Sequence, residues 1–195
     1  MKKLLLLFLV LSMCLCLFAC GDDDVPPGML LASDTEIVDY KLFIPDTWTV
    51  VNTGNATTQA FVSDEDETRT NVLVMQWNIT ENTSTVENWW ALEYKPQVFD
   101  AGTVKDAVIE KNEDGTEGKA TTLDGKPAKR YVYTGRIAET YFKYDIVACI
   151  TGGSIYIVQI TYMQDKVAEG QPITFSAEEA YGADTQKILD NFRFE

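Results

Sequence analysis

Hydrophobic positions fall into one long run, a series of short bursts and two stripes at helical spacing. The run is Leu4 to Phe18, which carries no charge and follows Lys2 and Lys3. The bursts start after residue 36 and alternate with turn residues. Tyr40 to Ile44 and Trp48 to Val51 flank Pro45-Asp46-Thr47, a predicted turn with proline at its second position. Thr58 to Val62 and Asn71 to Ile79 are predicted strands separated by Ser63-Asp64-Glu65-Asp66-Glu67, and Thr103 to Glu110 is another. Asp124-Gly125 and Gly152-Gly153 are hairpin signals, because both central positions of a two-residue turn must tolerate positive φ. They predict an antiparallel meander of Lys126 to Arg136, Tyr141 to Thr151 and Ser154 to Met163.

Several of these strands are apolar on both sides. Ile155 and Ile157 alternate with Tyr156, Val158, Ile160 and Tyr162, and Ile146 to Ile150 is continuously apolar. Such a sheet needs cover on both faces. Two helical stripes can supply it. Ser176 to Asn191 opens with Ser176-x-x-Glu179, a capping-box pattern, and spaces Tyr181, Thr185, Ile188, Leu189 and Phe192 along one side. Thr85 to Val98 carries Val86, Trp89, Trp90, Leu92 and Tyr94. The predicted fold is α+β, a central antiparallel sheet with helices on both faces.

The leading run is shorter than the roughly 20 apolar residues a membrane-crossing helix needs. With its basic start and the Leu17-Phe18-Ala19-Cys20 ending, it has the form of a cleavable leader over residues 1–19. The tetrapeptide resembles the lipobox of bacterial lipoproteins, whose cysteine is diacylated and becomes the mature N-terminus. Cys14 and Cys16 follow Met13 and Leu15, so only Cys20 has the small preceding residue. The expected location is the extracytoplasmic face of a membrane, with the lipid on Cys20 as anchor. Residues 20–35, with Asp22-Asp23-Asp24 and Pro26-Pro27-Gly28, are expected to be an extended tether, leaving one domain over 36–195.

Charge narrows the partners. The 195-residue chain has a net charge of −14, and loss of Lys2 and Lys3 with the leader makes the mature chain −16. That argues against a nucleic-acid partner or a basic membrane-binding face. Cys149, within Ile146-Val147-Ala148-Cys149-Ile150, is expected to be a small buried hydrophobe. With Cys20 lipidated it has no partner for a disulfide. The sequence has no histidine, which removes imidazole general acid–base catalysis, Ser-His-Asp triads and histidine zinc ligation. No phosphate loop, dinucleotide fingerprint or nucleophile elbow is present. No acid stands in a recognisable catalytic context, so the expectation is a protein that is not an enzyme and needs no cofactor or metal. Asp64-Glu65-Asp66-Glu67 and Asn112-Glu113-Asp114-Gly115-Thr116-Glu117 place oxygens at alternate positions, as calcium loops do, but neither matches the EF-hand spacing. They fit solvated hairpin tips better.

Several segments together resemble the PsbP-like family. They are Phe43-Ile44-Pro45-Asp46-Thr47-Trp48, Gly125-Lys126-Pro127-Ala128-Lys129-Arg130, the aromatic hairpin through Tyr156, and Ile188-Leu189-Asp190-Asn191-Phe192-Arg193-Phe194. The resemblance covers residues 36 to 195. It implies an α/β/α sandwich and, because the better-known members dock onto other proteins, a binding or assembly role. The alternative is a small-ligand or calcium-binding lipoprotein, suggested by the acidic loops and by Tyr131, Tyr133, Tyr141 and Tyr156. For a protein partner the candidate surface is Trp89 and Trp90. Neighbours on an α-helix point about 100° apart, so one indole is expected at the edge of the buried stripe.

Overall fold

The computed structural model describes residues 25–52, 57–62, 69–166 and 170–195. Short strands come first: β1 (Met29–Leu31), β2 (Tyr40–Lys41), β3 (Phe43–Pro45), β4 (Thr49–Asn52) and β5 (Thr57–Phe61). Longer ones follow: β6 (Asn71–Asn78), β7 (Lys105–Ile109), β8 (Lys119–Leu123), β9 (Lys126–Ile137), β10 (Thr140–Thr151) and β11 (Ser154–Met163), with β12 (Arg193–Phe194) last. Helix α1, between β6 and β7, opens with an α-helical turn over Val86–Trp89 and continues as π-helical turns over Trp90–Tyr94 and Pro96–Asp100. Helix α2 is Ser176–Asn191. The result is an α+β fold, mostly antiparallel sheet with two helices.

The main sheet runs β4-β5-β6-β11-β10-β9-β7, with β8 pairing the other half of β9, and every pairing is antiparallel. Both glycine-containing hairpins form as predicted: Asp124 and Gly125 have φ of 47° and 69°, and Gly152 and Gly153 have 60° and 83°. A third two-residue turn, Ala138-Glu139, joins β9 to β10 with no glycine, and Ala138 takes a φ of 52°.

Side chains alternate across each strand, and the core divides accordingly. One cluster holds Val72, Val74, Val147, Cys149, Tyr156, Val158, Ile160 and Tyr162 together with Ala177 and Ile188 of α2. The other holds Tyr131, Tyr133, Tyr144, Ile146, Ala148, Ile155 and Ile157 together with Val86, Trp89, Trp90 and Tyr94 of α1. Cys149 is a free, buried thiol whose pKa burial pushes up, so it is a packing residue.

Three local expectations are corrected. Trp48 donates its backbone N–H to the Pro45 carbonyl at 2.9 Å, so proline is the first residue of that turn and also closes β3. Ser176 does not cap α2; it lies inside the helix, and its hydroxyl donates to Asp165 Oδ1 at 2.6 Å. The folded chain also begins by Val25, inside the expected 20–35 tether. Met29 is buried, β1 pairs with β3, and Lys187 Nζ donates to the Pro27 carbonyl at 3.1 Å. The apolar triplet Met29-Leu30-Leu31 explains this, since it buries more than a polar linker can. No helix among the described residues is long and apolar enough to cross a membrane.

Candidate functional site

Neither candidate tryptophan is a surface residue: Trp89 is 0% exposed and Trp90 3%. Trp90 stacks on Tyr131 with ring centres 4.0 Å apart and on Tyr94 at 4.8 Å. Its indole Nε1 donates to Glu117 Oε2 at 2.7 Å. Trp89 lies against Trp77 and Tyr94, at 6.1 and 5.1 Å. The 100° separation of neighbours assumes an α-helix. Trp89 and Trp90 both keep α-helical dihedrals, and the π-type bond, from the Lys95 N–H to the Trp90 carbonyl, closes the turn that follows, so it is the breadth of the core beneath that takes both indoles. Below α1 lies a broad floor of Tyr131, Tyr133 and Tyr144; Trp90 docks on it directly, and Trp89 is buried in the same cluster against Trp77 and Tyr94. The alternating tyrosines of β9 were the available signal of so wide a floor.

The opposite, α2-bearing side of the sheet offers a more open feature. Moving along β9 and β10 away from Ala128 and Cys149, the residues of that face change from apolar to mostly charged: Arg130, Lys143 and Asp145, with Val132 among them. With Glu110, Lys111, Asn112, Gly118 and Lys119 from the β7–β8 connection and Glu178 from α2, they line a cleft of about 400 Å³. The β9–β10 register places these side chains at one end of a rigid hairpin, with Val132 opposite Asp145.

Charges inside the cleft are organised. Arg130 grips Asp145 with two nitrogens, Nε to Oδ1 at 2.7 Å and Nη2 to Oδ2, a fork that holds the carboxylate in plane. That bond raises the guanidinium pKa further, against the opposing effect of burial. Asp145 is almost covered while the Arg130 side chain keeps 40% of its surface, so the cation faces the cleft. Lys143 Nζ contacts both Glu178 oxygens, at 2.7 and 2.9 Å, and Glu110 Oε1 at 3.7 Å. Lys111 and Lys119 stand exposed at the rim.

A cleft in which each acid already meets a cation is suited to binding by charge and shape. The pattern of β10 held the clue. Lys143 and Asp145 share parity with Val147 and Cys149, so charges occupy positions on a core-facing side.

The other candidates do not converge. Cys20 and Asp64-Glu65-Asp66-Glu67 lie outside the described residues. In the 112–117 loop, Asp114 Oδ1 accepts from the Thr116 N–H at 2.9 Å and hydroxyl at 2.6 Å, an ordinary turn. Glu117 turns away to meet Trp90 and Lys95. Among the described residues, no group of three or more histidine, cysteine, aspartate or glutamate side chains is placed to hold a metal ion.

Comparison with known proteins yields a likeness of shape. No family model matches the chain. No curated protein matches it by sequence. Similar solved structures include a Bacteroides thetaiotaomicron protein with a TM-score of 0.50 and 9% identity, covering 87% of this chain and 49% of that one. The chain therefore spans about half the length of that neighbour. Mycobacterium tuberculosis LpqN, a protein involved in cell envelope biogenesis, has a TM-score of 0.48 and 13% identity over 79% of this chain and 82% of its own. The Saccharomyces cerevisiae Ran-binding protein Mog1p has 0.47 and 7%, over 80% and 90%. At such identities the likeness concerns the fold alone.

Proposed function

We propose that this chain is a non-catalytic protein-binding or assembly module, held at the extracytoplasmic face of a membrane by lipid on Cys20, with the charged cleft as its docking surface. The observation carrying the docking surface is the Arg130–Asp145 fork. A covered acid holds a half-exposed guanidinium at the mouth of a rigid cleft, ready to meet a partner without reordering. The lipid is supported by Leu17-Phe18-Ala19-Cys20 and the charge-free run before it. A PsbP-like α/β/α sandwich is the fold reading that accompanies this, supported by the two core clusters with residues of one helix in each.

Since the folded chain begins by Val25, only five residue-to-residue steps separate it from Cys20. At about 3.3 to 3.6 Å per residue they span roughly 17 Å, so the domain sits close to the bilayer. Cys20→Ser should abolish lipid labelling and release the protein from membranes; retained labelling overturns the anchor. For docking, a photo-crosslinking amino acid at Val132 should give a discrete protein adduct in native membranes that Arg130→Glu removes. An unchanged adduct in that variant overturns the cleft as the surface.

The small-ligand alternative draws on the cleft's volume of about 400 Å³, which lies within the usual range for ligand sites. A thermal-shift screen with calcium and sugars separates the readings, because a ligand of the native state raises the melting temperature.

A further inference from the structure

We infer that the occupant of the cleft is an acidic polypeptide segment, its carboxylates received by Lys111, Lys119 and the outer face of Arg130. This rests on the protein-binding reading of the same cleft. Charge accounting leads to it. The lining holds four cations, Lys111, Lys119, Arg130 and Lys143, against three acids, Glu110, Asp145 and Glu178, in a chain whose net charge is −14. Asp145 is neutralised by Arg130, and Glu178 and Glu110 share Lys143. Among the described residues no ion pair involves Lys111 or Lys119. The positive surplus therefore belongs to the rim. Glu117, the acid nearest in sequence to Lys119, is hydrogen-bonded by Trp90 and Lys95 and meets Lys111 only beyond ion-pair distance.

The rest of the molecule strengthens the choice. An acidic segment is repelled by a strongly acidic surface and finds compensation where cations outnumber acids, which fixes its position as well as its affinity. In an extended segment, alternate side chains on one side recur about every 7 Å. Two carboxylates so spaced can address separate rim cations. A nucleic-acid backbone demands a long basic track, which a chain of this charge does not offer.

The test is fluorescence anisotropy with fluorescein-labelled hexaglutamate and the full-length protein in detergent. Binding should weaken at least tenfold in the Lys111→Glu/Lys119→Glu double variant, whose substituted residues are exposed and outside the core. Lys105→Glu, at an exposed position outside the cleft, should change it less than twofold. Raising NaCl from about 50 to 500 mM should weaken it too, as the screening length shortens from above 10 Å to below 8 Å. Absence of hexaglutamate binding, equal binding by the double variant, or cleft-dependent preference for hexalysine overturns the inference. If hexaglutamate fails while the Val132 adduct persists and remains Arg130-dependent, the acidic chemistry is wrong and the docking surface stands. Loss of that dependence removes both.

Discussion

Asp165 holds the start of α2 through Ser176: its carboxylate accepts the Ser176 backbone N–H at 3.0 Å and the hydroxyl at 2.6 Å. Thr174 donates a third bond at 2.6 Å. A residue just beyond β11 thus does what the sequence pattern assigns to Ser176 and Glu179. Both Glu178 of the cleft and the α2 residues of the core depend on where this helix begins.

Asp165→Ala should therefore cost about 1 kcal/mol, the usual scale for losing a helix cap. The donors from Ser176 and then Thr174 hold the Asp165 carboxyl below its ordinary value. A depressed native pKa stabilises above the unfolded value of about 4 and is lost as pH falls through the native one. Chemical denaturation should show the gap between wild type and Asp165→Ala closing on acidification below about pH 4. A gap that widens there would refute the cap.

Glu117 anchors the β7–β8 connection to α1. Burial acts to raise its pKa, but donation from Trp90 and then Lys95 wins and holds it below the ordinary carboxylate value. Glu117→Gln should cost about 1.5 to 3 kcal/mol at neutral pH, the range for hydrogen bonds to a charged group, with the loss shrinking below about pH 4.5. Trp90→Ala, which empties a stacked site, should cost about 3 to 5 kcal/mol in urea unfolding. A Trp90→Ala protein of native stability would return Trp90 to the surface.

Ala138 occupies the left-handed region at a φ of 52° as the first residue of its turn. Its Cβ makes that conformation unfavourable by about 1 to 2 kcal/mol, while glycine accepts it freely. Part of the relief is offset by glycine's looser unfolded chain. Ala138→Gly should raise stability by up to about 1 kcal/mol, read as a higher urea midpoint at constant m-value. A lower midpoint would show that the alanine is not strained.

These residues mark where the sequence was transparent and where it was not. The Gly152-Gly153 and Asp124-Gly125 hairpins and the span of α2 were legible because positive φ and 3.6-residue periodicity leave direct traces. Strand β8, Lys119–Leu123, was hidden by its polar composition, as expected of a strand with one apolar residue buried at its end. The fate of Trp89 and Trp90 turned on the breadth of the aromatic cluster beneath the helix, which the apolar periodicity of the helix itself does not announce. The cleft was half legible: Lys143 and Asp145 break the apolar parity of β10, yet Glu178 joins them only through tertiary packing.

The lead-in to the domain gives the last prediction. A protein starting at Glu36 lacks β1, and with it the buried Met29 and the pairing of Met29, Leu30 and Leu31 with Pro45, Ile44 and Phe43. It also loses Ser33, whose hydroxyl donates to the Tyr40 carbonyl and accepts the Leu42 N–H, both at 3.0 Å. Removing a buried methionine side chain alone costs about 2 to 5 kcal/mol. Orphaning the buried Leu42 N–H adds about 1 to 3 more. Against a typical domain stability of 5 to 15 kcal/mol, that is a large share. The protein starting at Glu36 should thus unfold at a markedly lower temperature, or lose cooperative unfolding, while one starting at Val25 keeps the full-length midpoint. Equal midpoints for the two would show that residues 25–35 are dispensable and that the tether extends to residue 35.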